Sequence, residues 1–167
     1  PQLLKLVKST PHTPLNDVKY SDLYQPAVSC HGIYFMTTLD ESMYYIGKAS
    51  KRCLADRMGA HFDTRKSSYM NSFLKAILAK QEVKASDKKL NECYQQAKNW
   101  HFGVLFVKGE ECEQLYKLIE LAERILIYYL LKEQRCLNGC NRKRPYDTTI
   151  SLFETLKQKQ LYKLVNL

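Results

Sequence analysis

Two runs of aromatic and β-branched residues, joined by a four-residue link, constrain this chain more than any other feature. Residues 32–38 (GIYFMTT) and 43–49 (MYYIGKA) alternate as strands do, and the link LDES is short enough to fold them into a hairpin. If Thr38 faces Met43, the numbers of facing residues add to 81. Tyr34, Met36, Tyr45 and Gly47 then share one face, and Ile33, Phe35, Tyr44 and Ile46 the other. The second face is apolar enough to be the core face. The first carries two phenols on a diagonal, roughly 7–8 Å apart. Gly47 is expected to leave space beside Tyr34 for the approach of a ligand backbone. A one-residue slip in register would part the tyrosines.

The rest of the chain is read around that hairpin. Its 167 residues, 45% of them hydrophobic, suit one domain with a proper core. Helices are expected from Ser50 to about Phe62, over about Ser67–Lys80 and Asp87–Asn99, over 111–133, and from about Ile150 to Val165. Trp100–Val107 reads as a third strand. The class is α+β, a small three-stranded antiparallel sheet flanked by helices. Residues 1–29 read as an N-terminal extension broken by Pro11, Pro14 and Pro26, with a helical turn or two in DVKYSDLY. Residues 30–145 form the core, and 146–167 a C-terminal helix packed on the same domain.

Charge narrows the partner. There are 26 Lys and Arg against 17 Asp and Glu, a net +9, which favours a polyanion and nucleic acid first. No apolar run nears the roughly 20 residues of a membrane span. The start PQLLKLVKSTPHTP lacks the apolar h-region of a leader. No membrane partner and a cytoplasmic location are therefore expected. The six cysteines are scattered, and Cys136 and Cys140 lack a second pair at zinc-finger spacing, so reduced thiols are expected.

Several side chains could carry chemistry. Arg57 and His61 stand four apart at the edge of the stripe Leu54, Met58 and Phe62. An arginine there can hold a phosphate through two N–H groups, and a histidine one turn on can donate to it or take a proton. Without the hairpin, the same pair would read as a surface arginine and a half-buried histidine. Glu123 has Ile119, Leu126, Ile127 and Leu130 as same-face neighbours, a costly place for a carboxylate unless a metal or cation meets it. Its plainer alternative is an ion pair with Arg57. Glu120 has Arg124 at i+4 and reads as a surface pair. Asn138 and Asn141 follow the long helix, and Arg142, Lys143 and Arg144 form a basic cluster suited to phosphate contacts or to solvent. Lys48 is a candidate phosphate contact, although the register turns it toward the other face.

Gly32-Ile33-Tyr34, Tyr45-Ile46-Gly47, Arg57, His61, Glu123 and a following asparagine together resemble the GIY-YIG nuclease family, over residues 30–141. The resemblance implies hydrolysis of DNA phosphodiesters, duplex or branched, with one divalent metal, Mg2+ or Mn2+. Tyr34 would be the general base or its relay, and Tyr45 would position water and phosphate. Arg57 would offset developing charge with help from His61, and Glu123 would hold the metal. Asn138, or else Asn141, would support the site. The implied setting is bacterial or phage-like, with a homodimer expected where both strands are cut. Two alternatives stay open: a catalytically silent basic nucleic-acid-binding module, and the nuclease warhead of a toxin or defence system.

Overall fold

The computed structural model describes residues 2–23, 31–108, 113–138, 151 and 163–166. In chain order the elements are α1 (Gln2–Ser9), β1 (Thr13–Pro14), β2 (Gly32–Thr37), β3 (Tyr44–Ala49), α2 (Leu54–His61), α3 (Ser72–Lys80), α4 (Asp87–Ala97), β4 (His101–Lys108), α5 (Glu113–Lys132) and β5 (Lys163–Asn166), with 3-10 turns at Leu15–Asp17 and Tyr20–Leu23.

The hairpin has the register that its alternation requires. Pairs run from Gly32↔Ala49 to Thr37↔Tyr44, each adding to 81. Thr38 N–H closes the turn on the Met43 carbonyl at 3.2 Å. Glu41, at φ 52°, takes the left-handed position that a tight reversal needs.

The sheet is larger than the three strands expected. β4 lies beside β2, and its outer edge pairs with β1 (Thr13↔Phe102) and with β5 (Leu105↔Asn166). The sheet is antiparallel throughout, with five strands among the described residues. An uncovered β4 would present a row of unpaired N–H and C=O groups, and two short strands remove that liability. The helix expected to reach Val165 is corrected accordingly: residues 163–166 are a strand, because the vacant edge of β4 outweighs local preference.

Both faces of the sheet are buried. Ile33, Phe35, Tyr44 and Ile46 pack under α1 and α5, as expected of the core face. Tyr34, Met36 and Tyr45 lie under α2, α3 and α4, so the tyrosine face is a second core rather than an open surface. The expected N-terminal extension contains a helix, Gln2–Ser9. Leu3, Leu4 and Val7 of α1 join the first core, a helical i, i+1, i+4 stripe seated against α5.

Two helices start later than the sequence suggests, and a third starts where it suggests and ends two residues early. α2 begins at Leu54, because Cys53 is still extended at ψ 163°. α3 begins at Ser72, because the backbone of residues 63–70 is committed to side-chain hydrogen bonds described below. α4 opens on Ser86, whose hydroxyl accepts from Lys89 N–H at 3.2 Å.

The exit from α5 shapes the edge of the hairpin. Gln134, at φ 57°, ends the helix, and Arg135 N–H reaches back to the Leu130 carbonyl at 2.8 Å. The chain then runs beside β3. Tyr44 N–H bonds the Arg135 carbonyl at 2.7 Å, and Leu137 N–H bonds the Tyr44 carbonyl at 2.8 Å. Asn138 adds the next rung with its side chain. Its Oδ1 accepts from Ile46 N–H at 3.0 Å, and its Nδ2 donates to the Ile46 carbonyl at 2.6 Å. A side-chain amide here does what a neighbouring peptide would do.

Candidate active site

Tyr34 sits at the centre of the tyrosine face and is fully buried. Its ring fills the space above Gly47, where any Cβ would collide with it. The expectation of an open approach beside Gly47 is thereby corrected: the glycine is needed to seat Tyr34. The phenol meets His61 Nε2 in a hydrogen bond, and the Arg57 guanidinium is near enough to act on it electrostatically. The two α2 residues, one turn apart, thus bracket one hydroxyl.

Burial decides the protonation states. It raises the Tyr34 phenol well above the usual tyrosine range; nearby Tyr45 and Glu123 add to this, and Arg57 opposes it. Burial also pulls the His61 imidazole down to about 3, helped by the adjacent Arg57 charge. Both groups are therefore neutral near pH 7. Arg57 is half-buried, and its Nε is enclosed with no partner, as is His61 Nδ1. An enclosed guanidinium N–H without a partner is a cost that the fold carries at this point.

Tyr45 completes the group. It is 5% exposed, its ring lies 5.2 Å from that of His61, and its hydroxyl bonds Ser72 Oγ at 2.7 Å. Ser72 is the first residue of α3 and was not singled out by the sequence reading. The only local signal for it is the Asn71-Ser72 pair ahead of the apolar run FLKAIL.

Glu123 lies on the other side of the sheet, on α5, and is 4% exposed among apolar neighbours as expected. Its ion-pair partner is Lys48 rather than Arg57: Lys48 Nζ is 3.4 Å from Glu123 Oε2 and 3.1 Å from Glu120 Oε1. The expected Glu120–Arg124 pair gives way to the same lysine, because the register points Lys48 at α5. The electrostatic effect of Glu123 on Tyr34 links the two sides.

The structure therefore brings Tyr34, Tyr45, Arg57 and His61 into one cluster, sets Glu123 and Lys48 across the sheet from it, and uses Asn138 to hold the strand that carries Tyr45. Arg142, Lys143, Arg144 and the alternative Asn141 lie outside the described residues. Cys53, Cys93 and Cys136 are thiols rather than disulfides. Among the described residues, no group of three or more His, Cys, Asp and Glu side chains is placed to hold a metal ion. Among the same residues, no helix is long and apolar enough to cross a membrane. No protein-family model matches the chain, and no curated protein or solved structure matches it.

Proposed function

We propose that this protein is a metal-dependent endonuclease that hydrolyses DNA phosphodiester bonds, in the manner of the GIY-YIG nucleases that its motifs resemble. The observation that carries the reading is the buried Tyr34–His61 hydrogen bond beside the Arg57 guanidinium, one of whose N–H groups is left unanswered. The net charge of +9 is in keeping with a nucleic-acid partner.

A resting phenolate is not what this environment favours, so Tyr34 is a relay rather than a standing base. As water attacks phosphorus, its proton passes to the Tyr34 oxygen while the phenol proton moves to His61 Nε2. The phosphate places negative charge beside Arg57 and so offsets its repulsion of a charged imidazole, the smaller of the two effects that hold His61 neutral, burial being the larger. Arg57 donates to the phosphoryl oxygens as the bond to the leaving oxygen breaks. Tyr45, its hydroxyl held by Ser72, fixes the position of the attacked group.

Glu123 fits a hard divalent ion. Its carboxylate is buried, is met by the Lys48 ammonium group, and has Glu120 next to it; Mg2+ or Mn2+ commonly takes one or two carboxylates and completes its shell with water and phosphate. Such an ion, when bound, supplies Lewis-acid stabilisation of the phosphate. Lys48 would then be released toward the substrate.

The test is cleavage of supercoiled plasmid and branched DNA by wild type, Glu123→Ala and Arg57→Ala, with Mg2+, Mn2+ or EDTA. Metal-dependent cutting that both variants lose is the expected result. Equal nicking by wild type and Glu123→Ala would assign the activity to a contaminant. It would favour a silent binding module, the second reading, in which the Lys48–Glu123 ion pair is permanent.

A further inference from the structure

Among the described residues, two large apolar or aromatic side chains stand out in solvent, Leu39 at 76% exposure and Tyr69 at 95%. They differ in setting. Leu39 caps the hairpin turn beside Asp40 and Glu41, whereas Tyr69 follows Arg65 and Lys66 in a loop with no acid between residues 64 and 70. That loop connects α2, which carries Arg57 and His61, to Ser72, which holds Tyr45.

The loop is fixed from below. Asn71, fully buried, donates from Nδ2 to the carbonyls of Asp63 and Arg65 at 2.7 and 2.9 Å. Lys75 Nζ donates to the carbonyls of Lys66 and Ser68 at 3.2 and 2.6 Å. Lys66 N–H is held by Asp87 Oδ1 at 2.6 Å. These bonds satisfy the backbone on the inner side and leave Tyr69 and the Lys66 side chain pointing out. A ring on such a support loses little rotamer freedom when it is covered, since the backbone beneath it is already set.

We propose that residues 63–70 are a docking surface for the DNA strand flanking the scissile phosphate, with Tyr69 stacking on a base or deoxyribose and Lys66 contacting a phosphate. This deepens the nuclease reading and rests on it. The chemistry suits a nucleic acid, because an aromatic face is indifferent to base identity and the exposed Lys66 beside it matches the backbone, Arg65 being already bonded to Asp63. Ser72 sets the register between this surface and the cluster, being three residues from Tyr69 and 2.7 Å from the Tyr45 hydroxyl.

The experiment is fluorescence anisotropy of a labelled DNA duplex in EDTA, over a series of salt concentrations. Wild type, Tyr69→Ala, Tyr69→Phe, Lys66→Ala and Glu123→Ala are compared, with plasmid cleavage in Mg2+ run alongside. Tyr69→Ala is expected to bind roughly 5- to 150-fold more weakly at an unchanged salt slope, while Tyr69→Phe stays close to wild type. Lys66→Ala is expected to lower the salt slope by about 1. Tyr69 is too exposed for these substitutions to unsettle the fold, and unchanged melting temperatures check this. Wild-type binding and cutting by Tyr69→Ala, with cutting lost in Glu123→Ala, overturns the docking surface and leaves the nuclease reading standing. A wild type that neither binds nor cuts DNA overturns both.

Discussion

The two faces of the sheet follow the same alternation and bury similar numbers of large side chains, yet they are built from different chemistry. Under α1 and α5 the packed groups are almost wholly aliphatic and aromatic carbon, and Glu123 with Lys48 sits at the margin. Under α2, α3 and α4 the core contains two phenols, an imidazole and the edge of a guanidinium, joined by hydrogen bonds. The first face can be judged by volume alone. The second depends on which donor meets which acceptor, and a buried polar group that loses its partner costs more than the bond contributed. The apolar core and the hydrogen-bonded core are thus separated by one layer of backbone.

That comparison can be broken at several points. The largest stability effect belongs on the apolar face. Ile119→Ala on α5 should cost about 2–5 kcal/mol in urea unfolding while leaving cleavage per folded molecule unchanged. A mild cost would mean that α5 is not the main cover of that face. Gly47→Ala acts on the polar face through sterics. Its methyl must displace the Tyr34 ring, so a loss of about 1–3 kcal/mol and a large drop in cleavage are expected together. Stability intact with activity gone, or the reverse, would sever Tyr34 packing from its role.

The pH dependence sharpens the difference further. His61 is held down to about 3 by burial and by Arg57, against about 6.5 when unfolded, so its contribution is fully present above pH 6.5. It is lost as pH falls toward 3, by about 2 kcal/mol at pH 5. His61→Gln should flatten that part of the stability profile. An identical profile in the variant would place the imidazole in solvent. Asn138→Ala removes two hydrogen bonds to Ile46 and should cost about 1–2 kcal/mol, read as a lower denaturant midpoint. The smallest effect is Glu123→Gln, expected within about 1 kcal/mol because Lys48 keeps Glu120 as a partner. A loss of about 3–5 kcal/mol would instead mark a buried pair that serves the fold.

What the sequence made legible follows range. The hairpin, its register and the composition of its two faces come from a short link and a period of two, both local. The clustering of Tyr34, Tyr45, Arg57 and His61 follows from that register and one helical turn. β5 was read as helix, and α1 as part of a loose extension, because each is decided by a distant surface: the outer edge of β4 and the flank of α5. Ser72 was missed for the same reason, since nothing near it in the chain announces Tyr45. Glu123 was recognised as anomalous from its neighbours, but its partner Lys48 comes from a strand 72 or more residues away and could only be found in space.

The rung between Ile46 and Asn138 has a temporal meaning. It joins groups 92 residues apart, among the last contacts that a growing or refolding chain can close. Until residue 138 has emerged, β3 has an open edge and Tyr45 rides on an unsecured strand. The hairpin needs only its neighbours in the chain, whereas the clasp along its outer edge waits for a segment 92 residues further on.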